Sequence, residues 1–530
     1  MHSQRHFLPG IVTAGGIFCF VAASLAGLLS YSASFNPAFL WSDPYYRHIT
    51  LFSFYQAFIS TLLSVGLAIP TAHALSRRHF FAKSLLLKLF ATTLVLPVLV
   101  GVFGLLAIYG NSGVVSAIFG FFDKQIPFSI YGLNGIILAH VFFNLPFATR
   151  LLFQSLQSIP AEHHKLSAHL GIHHWNKFKL IEWPVLRQQL PHICGLVFML
   201  CFTSFATVMA LGGGPKSTTI ELAIYQAIKF DFDLQSGALL ALWQMFICAI
   251  LVLFIQRFSK VIPVTSDAQG DKLILFADNK RSMIWDGTWI TLVTLLVIPP
   301  LLMVIIGGLN RQFIDVVTSW YFWSAMGNSL LVATFAAFLA LFAGILILLS
   351  SRRWRLLGLR FRADKLELVG TIILVTPGIV ISTGVFLLLR NWTNVFDLAL
   401  LIVILVNALM ALPYVIKTLA QPMLHIAQQY DLLASSLGMS GRSRFYLVEW
   451  KAIKKPIIHA YTISFVLAMG DLSAIALFGN QDFKTLPLYL FQLLGSYQMD
   501  AAAVVSLFLL IFSVGMFAIM EKLMLKNDDK

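Results

Sequence analysis

The chain has 530 residues, of which 58% are hydrophobic and only 11% are charged. Soluble globular proteins contain about 45–50% apolar and about 25% charged residues, so this composition excludes a soluble globular domain and predicts a polytopic membrane protein. The formal net charge of +14 does not indicate a nucleic-acid partner, because the basic residues are dispersed over short loops beside apolar stretches, where anionic lipid is the ordinary partner.

Apolar stretches long enough to span a bilayer recur along the chain. Crossing the hydrocarbon core takes about 20 apolar residues in a helix, because every backbone polar group must be bonded within the segment. The first stretch follows Arg5 and is long for a signal peptide, so we expect it to be retained. The prediction is an all-α protein with twelve transmembrane helices, at residues 11–29, 51–72, 85–108, 132–153, 192–211, 236–254, 289–306, 321–349, 366–389, 396–418, 457–478 and 501–520.

The loops between these spans are alternately rich and poor in Lys and Arg. One side of the membrane holds 30 of the 37 basic residues, and such an excess marks the cytoplasmic side. Both termini are therefore predicted to be cytoplasmic. The outer side holds only Arg47, Lys124, Lys216, Lys229, Arg311, Arg390 and Lys484.

The loop between the fourth and fifth spans, residues 160–190, is long for a protein with otherwise short connections. Leu166 and Leu170 are spaced as on one face of a short amphipathic helix, and Gly171 follows where a helix C-cap needs a positive φ. A second helical piece then ends near Pro184. We expect this helix, glycine turn and helix to dock into a groove on a cytoplasmic protein.

The fifth span carries an aromatic stripe at Phe198, Phe202 and Phe205, whose i, i+4, i+7 spacing places the three rings on one helix face. Such a stripe usually packs helices together. The alternative is that it stacks on the rings of an aromatic solute.

The stretch LGGGPKSTT at residues 211–219 has only a superficial likeness to the phosphate-binding pattern G-x-x-x-x-G-K-[ST]. Pro215, which has no N–H, precedes Lys216, and alanine stands where the first glycine is needed. The stretch also falls on the outer side, so we do not expect this chain to bind ATP there. We interpret it as a flexible turn at an outer gate. The candidate gate residues are Gly213, Gly214, Lys216 and, from the second half of the chain, Gly479.

The second half of the chain repeats the first. LSAHLGIHHWNKFKLIEW at 166–183 aligns with LASSLGMSGRSRFYLVEW at 433–450 at an offset of 267, and TTIELAIYQ at 218–226 aligns with KTLPLYLFQ at 484–492 at an offset of 266. Each half has six spans, an even number, so we predict two parallel six-helix repeats related by an axis along the membrane normal, with the solute route between them. The predicted halves are residues 1–256 and 285–530, with repeated loops at about 160–190 and 427–456 and a cytoplasmic linker at 257–284.

Asp471 is the one acidic residue well inside a predicted span. We favour a locally hydrogen-bonded acid that packs between helices, because burial requires only a local partner. The alternative is a contact for a cationic solute, since an intramembrane carboxylate is a functional candidate.

The other reactive residue types form no recognisable site. The histidines of the first repeated loop have no matching histidines in the second, so we expect no metal site. The four cysteines lie inside predicted spans without a CxxC arrangement, and no nucleophile, base and oxyanion-hole set can be assembled. We therefore expect neither a bound cofactor nor enzymatic activity in this chain. The histidines considered are His163, His164, His173 and His174.

The repeated loop resembles the EAA loop of ABC importer permeases, whose pattern is roughly E-A-A-x-x-x-G-x(9)-I-x-L-P. The first copy fits at its glycine, isoleucine and proline, and the second at its glycine and an aliphatic residue, while both copies lack the leading Glu and have Trp for Leu. The resemblance implies that each loop is a coupling helix seated in a cleft of one ATPase subunit. The residues it assigns to ATPase coupling are Ala168, Gly171, Ile181, Glu182, Trp183 and Pro184 in the first loop, and Ser435, Gly438, Val448, Glu449 and Trp450 in the second.

The resemblance implies a type I ABC importer fold, two copies of a cytoplasmic ATPase subunit that use ATP and Mg, and a periplasmic solute-binding protein. Residues 131–156, 205–227 and 476–492 look like the thiamine and thiamine-pyrophosphate permeases of Gram-negative bacteria. This predicts import of thiamine and its phosphates across a bacterial inner membrane. Fused ferric-iron permeases or other small-solute permeases of the same architecture are the alternative. A secondary carrier, which also has two parallel halves, leaves the duplicated loop unexplained.

Overall fold

A computed structural model describes residues 8–31, 41–93, 96–124, 127–172, 174–258, 280–370, 376–439, 443 and 445–525. All regular structure in these residues is helical, and eleven helical segments among them are long and apolar enough to cross a membrane. The prediction of an all-α polytopic membrane protein is confirmed. The predicted span at 366–389 is not among the eleven. Its helical residues belong to two shorter helices, Arg360–Gly370 and Gly378–Leu389; residues 376–377 are not helical, and residues 371–375 lie outside the described ranges.

The helices of the first half are numbered in chain order. They are α1 (Leu8–Tyr31), α2 (Pro44–Arg77), α3 (Lys83–Thr92), α4 (Val98–Tyr109), α5 (Val114–Phe121), α6 (Leu133–Gln157), α7 (Ala161–His169), α8 (His174–Lys177), α9 (Trp183–Phe202), α10 (Phe205–Leu211), α11 (Ile220–Lys229) and α12 (Leu234–Phe258). A π-helical turn, Phe178–Glu182, joins α8 to α9.

Most of the predicted linker, residues 259–279, lies outside the described ranges. The second half then continues with α13 (Lys280–Gly308), α14 (Phe313–Thr318), α15 (Trp320–Leu356), α16 (Arg360–Gly370), α17 (Gly378–Leu389), α18 (Ala399–Ser436), α19 (Trp450–Gly470), α20 (Ser473–Phe478), α21 (Leu486–Gly495) and α22 (Met499–Leu525). A π-helical turn, Phe445–Glu449, precedes α19.

The core of each half is a group of three long helices. In the first half α2 packs against α6 and α9, and in the second half α15 packs against α18 and α19. The buried face of α2 is rich in small residues, including Ala57, Ser60, Ser64 and Ala68. Small side chains allow helix backbones to approach closely, which is how membrane helices associate when apolar burial gives no advantage over lipid.

The helix that begins each half packs on the other half. Helix α1 lies against α15 and α17, and α13 lies against α2 and α4. Close approach of the backbones depends on glycine: a Cβ at Gly27 would lie 2.3 Å from the carbonyl oxygen of Gly384, and one at Gly104 would lie 2.5 Å from that of Pro300. The two halves are therefore interlocked through exchanged helices.

A buried ion-pair cluster fixes the start of α13. Asp286 is fully buried, and its Oδ2 lies 2.7 Å from Arg78 Nε and 3.3 Å from Arg77 Nη2. Ser282 also accepts a hydrogen bond from Arg77. Because a buried carboxylate needs a compensating cation, these contacts tie the beginning of the second half to the end of α2.

The structure differs from the sequence prediction at the fifth and eleventh spans, which were expected to be continuous over 192–211 and 457–478. Each is two helices: α9 ends before α10, and α19 ends before α20. At the second break Asp471 has an extended conformation, and its carboxylate accepts a hydrogen bond from the first turn of α20. Hydrophobicity does not reveal these breaks, because the residues on both sides remain apolar.

Candidate functional site

The first repeated loop has the backbone of a helix that ends in a glycine cap. Gly171 follows α7 with φ +65°, and its N–H donates to the carbonyl of Ala168 (3.2 Å). The N–H of Ile172 donates to the carbonyl of Ser167 (2.9 Å). This pair of bonds is a Schellman motif, which satisfies the last carbonyls of a helix and needs a left-handed residue that glycine adopts at little cost.

The second repeated loop has the same turn. Gly438 also has φ +65°, and the N–H of Met439 donates to the carbonyl of Ala434 (2.9 Å), the counterpart of Ser167. A Cβ at either glycine would meet no atom within 4 Å. The glycines are therefore required for their backbone conformation and not for space. Ser435 lies in α18, and its side chain is outside what the structure describes.

Each loop then passes through a π-helical turn that ends on a glutamate. Glu182 and Glu449 close these turns and are only 4% and 7% exposed. The extra residue in a π turn re-aims the side chains that follow, and such turns often occur at functional sites.

Both glutamates face a basic residue on the second long helix of their own half. Glu182 Oε2 lies 2.8 Å from His73 Nε2 on α2, and Glu449 Oε1 lies 2.9 Å from Arg352 Nη2 on α15. The carboxylates therefore fasten the loop to the permease core. They are not available to a partner protein, although the sequence analysis grouped them with the coupling residues.

The remaining predicted coupling residues lie around these anchors. Ile181, Trp183 and Val448 are half-buried, whereas Trp450 is exposed. Pro184 is in the first turn of α9, where its missing N–H leaves no intrahelical bond unmade. Phe178 supports the first loop, with its ring centroid 5.0 Å from that of His73 and 5.4 Å from that of Trp175.

The exposed face of each loop is made of leucines at matching positions. In the first loop three leucines are 60–65% exposed, and in the second their counterparts at the 267 offset are 54–61% exposed. Exposed apolar side chains at the same positions of both copies are candidates for a contact surface. The sequence contains these leucines, but it does not show which of them are exposed. They are Leu166, Leu170 and Leu180, and Leu433, Leu437 and Leu447.

Asp471 lies at the break between α19 and α20. Its carboxylate accepts hydrogen bonds from Ser473 Oγ (2.8 Å) and from the N–H of Ala474 (3.2 Å). Asp471 precedes the N-cap residue, Leu472, and its carboxylate satisfies helix donors that would otherwise lack partners inside the protein. The interpretation of Asp471 as a locally hydrogen-bonded acid accounts for these contacts. Its alternative role, contact with a cationic solute, stays a prediction.

The aromatic stripe packs between helices. Phe198 and Phe202 stack on each other (ring centroids 5.9 Å apart), and Phe54 of α2 lies 5.1 Å from Phe202. Phe205 belongs to α10, beyond the helix break, and contacts Tyr225 (5.5 Å). The three rings therefore do not form one continuous face.

The predicted gate residues are divided between two environments. Gly213 and Gly214 are exposed and have φ of +69° and +136°, which glycine adopts at little cost, and Lys216 is exposed beside them. Gly479, by contrast, is buried at the end of α20. Its carbonyl accepts a hydrogen bond from Lys229 of the first half (3.0 Å), a contact that sequence reasoning missed.

Comparisons with known proteins extend over both repeated loops. Residues 357–525 match the family described as binding-protein-dependent transport system inner membrane component. The chain is 45% identical to the thiamine transport system permease protein ThiP of Salmonella typhimurium, over 97% of this chain and 96% of that protein. It is 46% identical to ThiP of Escherichia coli, over 98% and 97% of the two chains. Identity to ThiP of Haemophilus influenzae is 40%, over 97% and 95%.

Proposed function

Because this chain belongs to the family of thiamine transport system permease proteins, we propose that it is the membrane-spanning subunit of an ATP-driven importer that moves thiamine and its phosphates from the periplasm to the cytoplasm. The observation that carries the proposal is the pair of repeated loops. Each has the same glycine turn, the same π turn and the same three exposed leucines, and each is fastened to its own half by a buried glutamate.

Two loops imply two partners. We propose that each leucine surface docks into a cleft of one copy of a cytoplasmic ATPase subunit, which binds and hydrolyses ATP with Mg. The glutamate pairs then transmit movement of the loop to α2 and α15, which lie at the centre of the two halves. The permease itself contributes no catalytic residue, and a periplasmic binding protein delivers the solute.

The scheme includes twelve membrane crossings in two parallel repeats with cytoplasmic termini. Two helices of the first half, α3 and α4, correspond to α16 and α17 of the second half; α5 follows α4. The exchanged helix α1 packs against α17, and α13 packs against α4. The glycines at these crossings, Gly104 and Gly384, lie in corresponding helices. The excess of Lys and Arg on one side supports placing both loops in the cytoplasm.

Reconstitution tests the proposal. The permease is placed in liposomes with the ATPase inside and the binding protein outside, and uptake of labelled thiamine is measured with and without internal ATP. We expect ATP-dependent uptake that unlabelled thiamine and thiamine pyrophosphate reduce and ferric ion does not. Reduction by ferric ion alone would favour the iron-permease alternative instead.

The secondary-carrier alternative makes the opposite prediction. Uptake by the permease alone, driven by an ion gradient and indifferent to the ATPase, would refute the importer assignment. The matched control is a permease with Leu170→Asp and Leu437→Asp. Both residues belong to the proposed docking surfaces and lie outside the candidate membrane spans. A carrier would be unaffected by these changes, whereas an importer would lose ATP-driven uptake.

A further inference from the structure

Lys229 joins the two halves at the proposed outer side. It ends α11 of the first half, and its Nζ donates to the carbonyl oxygens of Leu477 (3.1 Å) and Gly479 (3.0 Å) in the second half. These carbonyls lie at the end of α20, where the helix has no further N–H groups to donate hydrogen bonds to them. The ammonium therefore satisfies two acceptors at once.

The surroundings of Lys229 favour this contact. Its side chain is half-buried and lies over the ring of Phe396, 5.8 Å from the centroid. An aromatic face attracts a cation, most strongly where water is partly excluded. Charge-assisted hydrogen bonds are about twice as strong as neutral ones. The lysine is thus held by groups that all come from the opposite half.

The helix that carries Lys229 packs directly against helices of the second half. Helix α11 packs against α17 and α20 of the second half as well as against α2 and α12 of its own. Separation of the halves at this level therefore requires Nζ to leave both carbonyls. The repeat counterpart of Lys229, at the 266 offset, is Gly495, which has no side chain to make the reciprocal bond.

We propose that Lys229 is a latch that holds the outer ends of the two halves together and that opens when solute is admitted between them. The proposal rests on the proposed importer function and orientation. It also identifies the outer gate with a contact between the halves, at Gly479, and not with the exposed turn at Lys216. Lys229 is a positioning residue and need not touch the solute.

The test uses the permease with its ATPase in nanodiscs, in a background whose four cysteines are replaced by alanine and which retains transport. Nitroxide labels at Gln235→Cys and Asp482→Cys, both exposed and on opposite halves, report the distance across the outer side by pulsed electron spin resonance. Basal ATPase activity without binding protein is measured in parallel. The variants are Lys229→Met, Lys229→Gln and Lys229→Arg.

Without nucleotide, we expect one short distance in the parent protein and a second, longer population in Lys229→Met. Its basal ATPase activity should rise by at least about tenfold, because two charge-assisted hydrogen bonds no longer hold the halves together. Lys229→Gln should give a smaller change, because it keeps a donor, and Lys229→Arg should resemble the parent. Lys216→Met is the matched control: that side chain is exposed, and His48 contacts only its carbonyl oxygen (3.1 Å).

Unchanged distances and unchanged basal activity in both Lys229→Met and Lys229→Gln would overturn the latch, as would equal effects in Lys216→Met. These readouts do not depend on which solute is transported. Failure of the parent complex to take up thiamine would refute the proposed function, while the distance measurement would still decide whether Lys229 joins the halves.

Discussion

The two repeated loops have the same backbone but different anchors. In the second loop Glu449 is paired with Arg352, a permanent cation. In the first loop Glu182 faces His73, which pairs as an ion only when it is protonated, and Lys177 is buried in the same loop. The comparison shows that the two halves share the loop geometry but use different bases to attach the loop to the core.

The largest difference is expected when each base is removed. Arg352→Met leaves Glu449 buried without its cation, which should cost about 3–5 kcal/mol. His73→Met should cost only about 1–2 kcal/mol, because Lys177 and Arg77 also stabilise the Glu182 carboxylate. Thermal unfolding of the purified permease and retention of the ATPase on affinity resin measure both effects.

The double variant Arg352→Met with Glu449→Leu is the control for these changes. It removes both charges and should recover most of the lost stability, because no unpaired ion is left in the interior. Equal losses in Arg352→Met and His73→Met would contradict the asymmetry between the loops.

The exposed leucines should contribute equally in the two loops. Leu170→Asp or Leu437→Asp should weaken ATPase binding about thirtyfold, as expected for a contact residue worth about 2 kcal/mol. Thermal stability of the permease should not change, because both side chains are more than 60% exposed. Binding is measured by titrating labelled ATPase onto permease in nanodiscs.

Leu357→Asp provides the matched control for this titration, since Leu357 is 65% exposed but lies after α15, outside both loops. Weaker binding in Leu357→Asp, or an effect confined to one of the two loop variants, would show that the leucine surfaces do not act as a pair.

The two glycine turns should respond alike. Gly171→Val and Gly438→Val each force a β-branched residue to φ +65°, at a cost of about 1–2 kcal/mol. Asparagine tolerates this conformation better, so Gly171→Asn and Gly438→Asn should retain most of the ATP-dependent uptake. If valine and asparagine gave the same uptake, the requirement for a left-handed turn would be disproved.

The smallest expected effect comes from making the anchors identical. His73→Arg should fasten the first loop more firmly and raise ATPase affinity by about threefold at most, since one neutral contact becomes charge-assisted. The measurement is the same titration as for the leucines. A clear loss of affinity would mean that the imidazole has a role of its own in coupling.

Composition and periodicity predicted much of this fold. The all-α membrane class follows from composition and from apolar stretches of the length that a membrane requires, although eleven segments and not twelve qualify among the described residues. The two matching glycine turns follow from the alignable residues Gly171 and Gly438. The glycine turn was predictable because only a residue that tolerates positive φ fits a helix end of this kind.

Other features depend on contacts that the sequence pattern does not contain. The breaks before α10 and α20 lie within apolar stretches, so a hydropathy profile does not reveal them. The burial of Glu182 depends on which helix lies beside the loop, and a charged residue in a loop is ordinarily read as exposed. The same holds for Lys229, whose partners are backbone carbonyls on the other half.

The most direct test of the central claim is a cross-linking experiment from both loops. A photoreactive amino acid is placed at residue 170 or at residue 437 of the permease in the assembled complex, and the products are counted by mass. We predict that each position cross-links one ATPase subunit and that the doubly substituted permease carries two. Cross-links from only one loop, or a complex with a single ATPase subunit, would contradict the account.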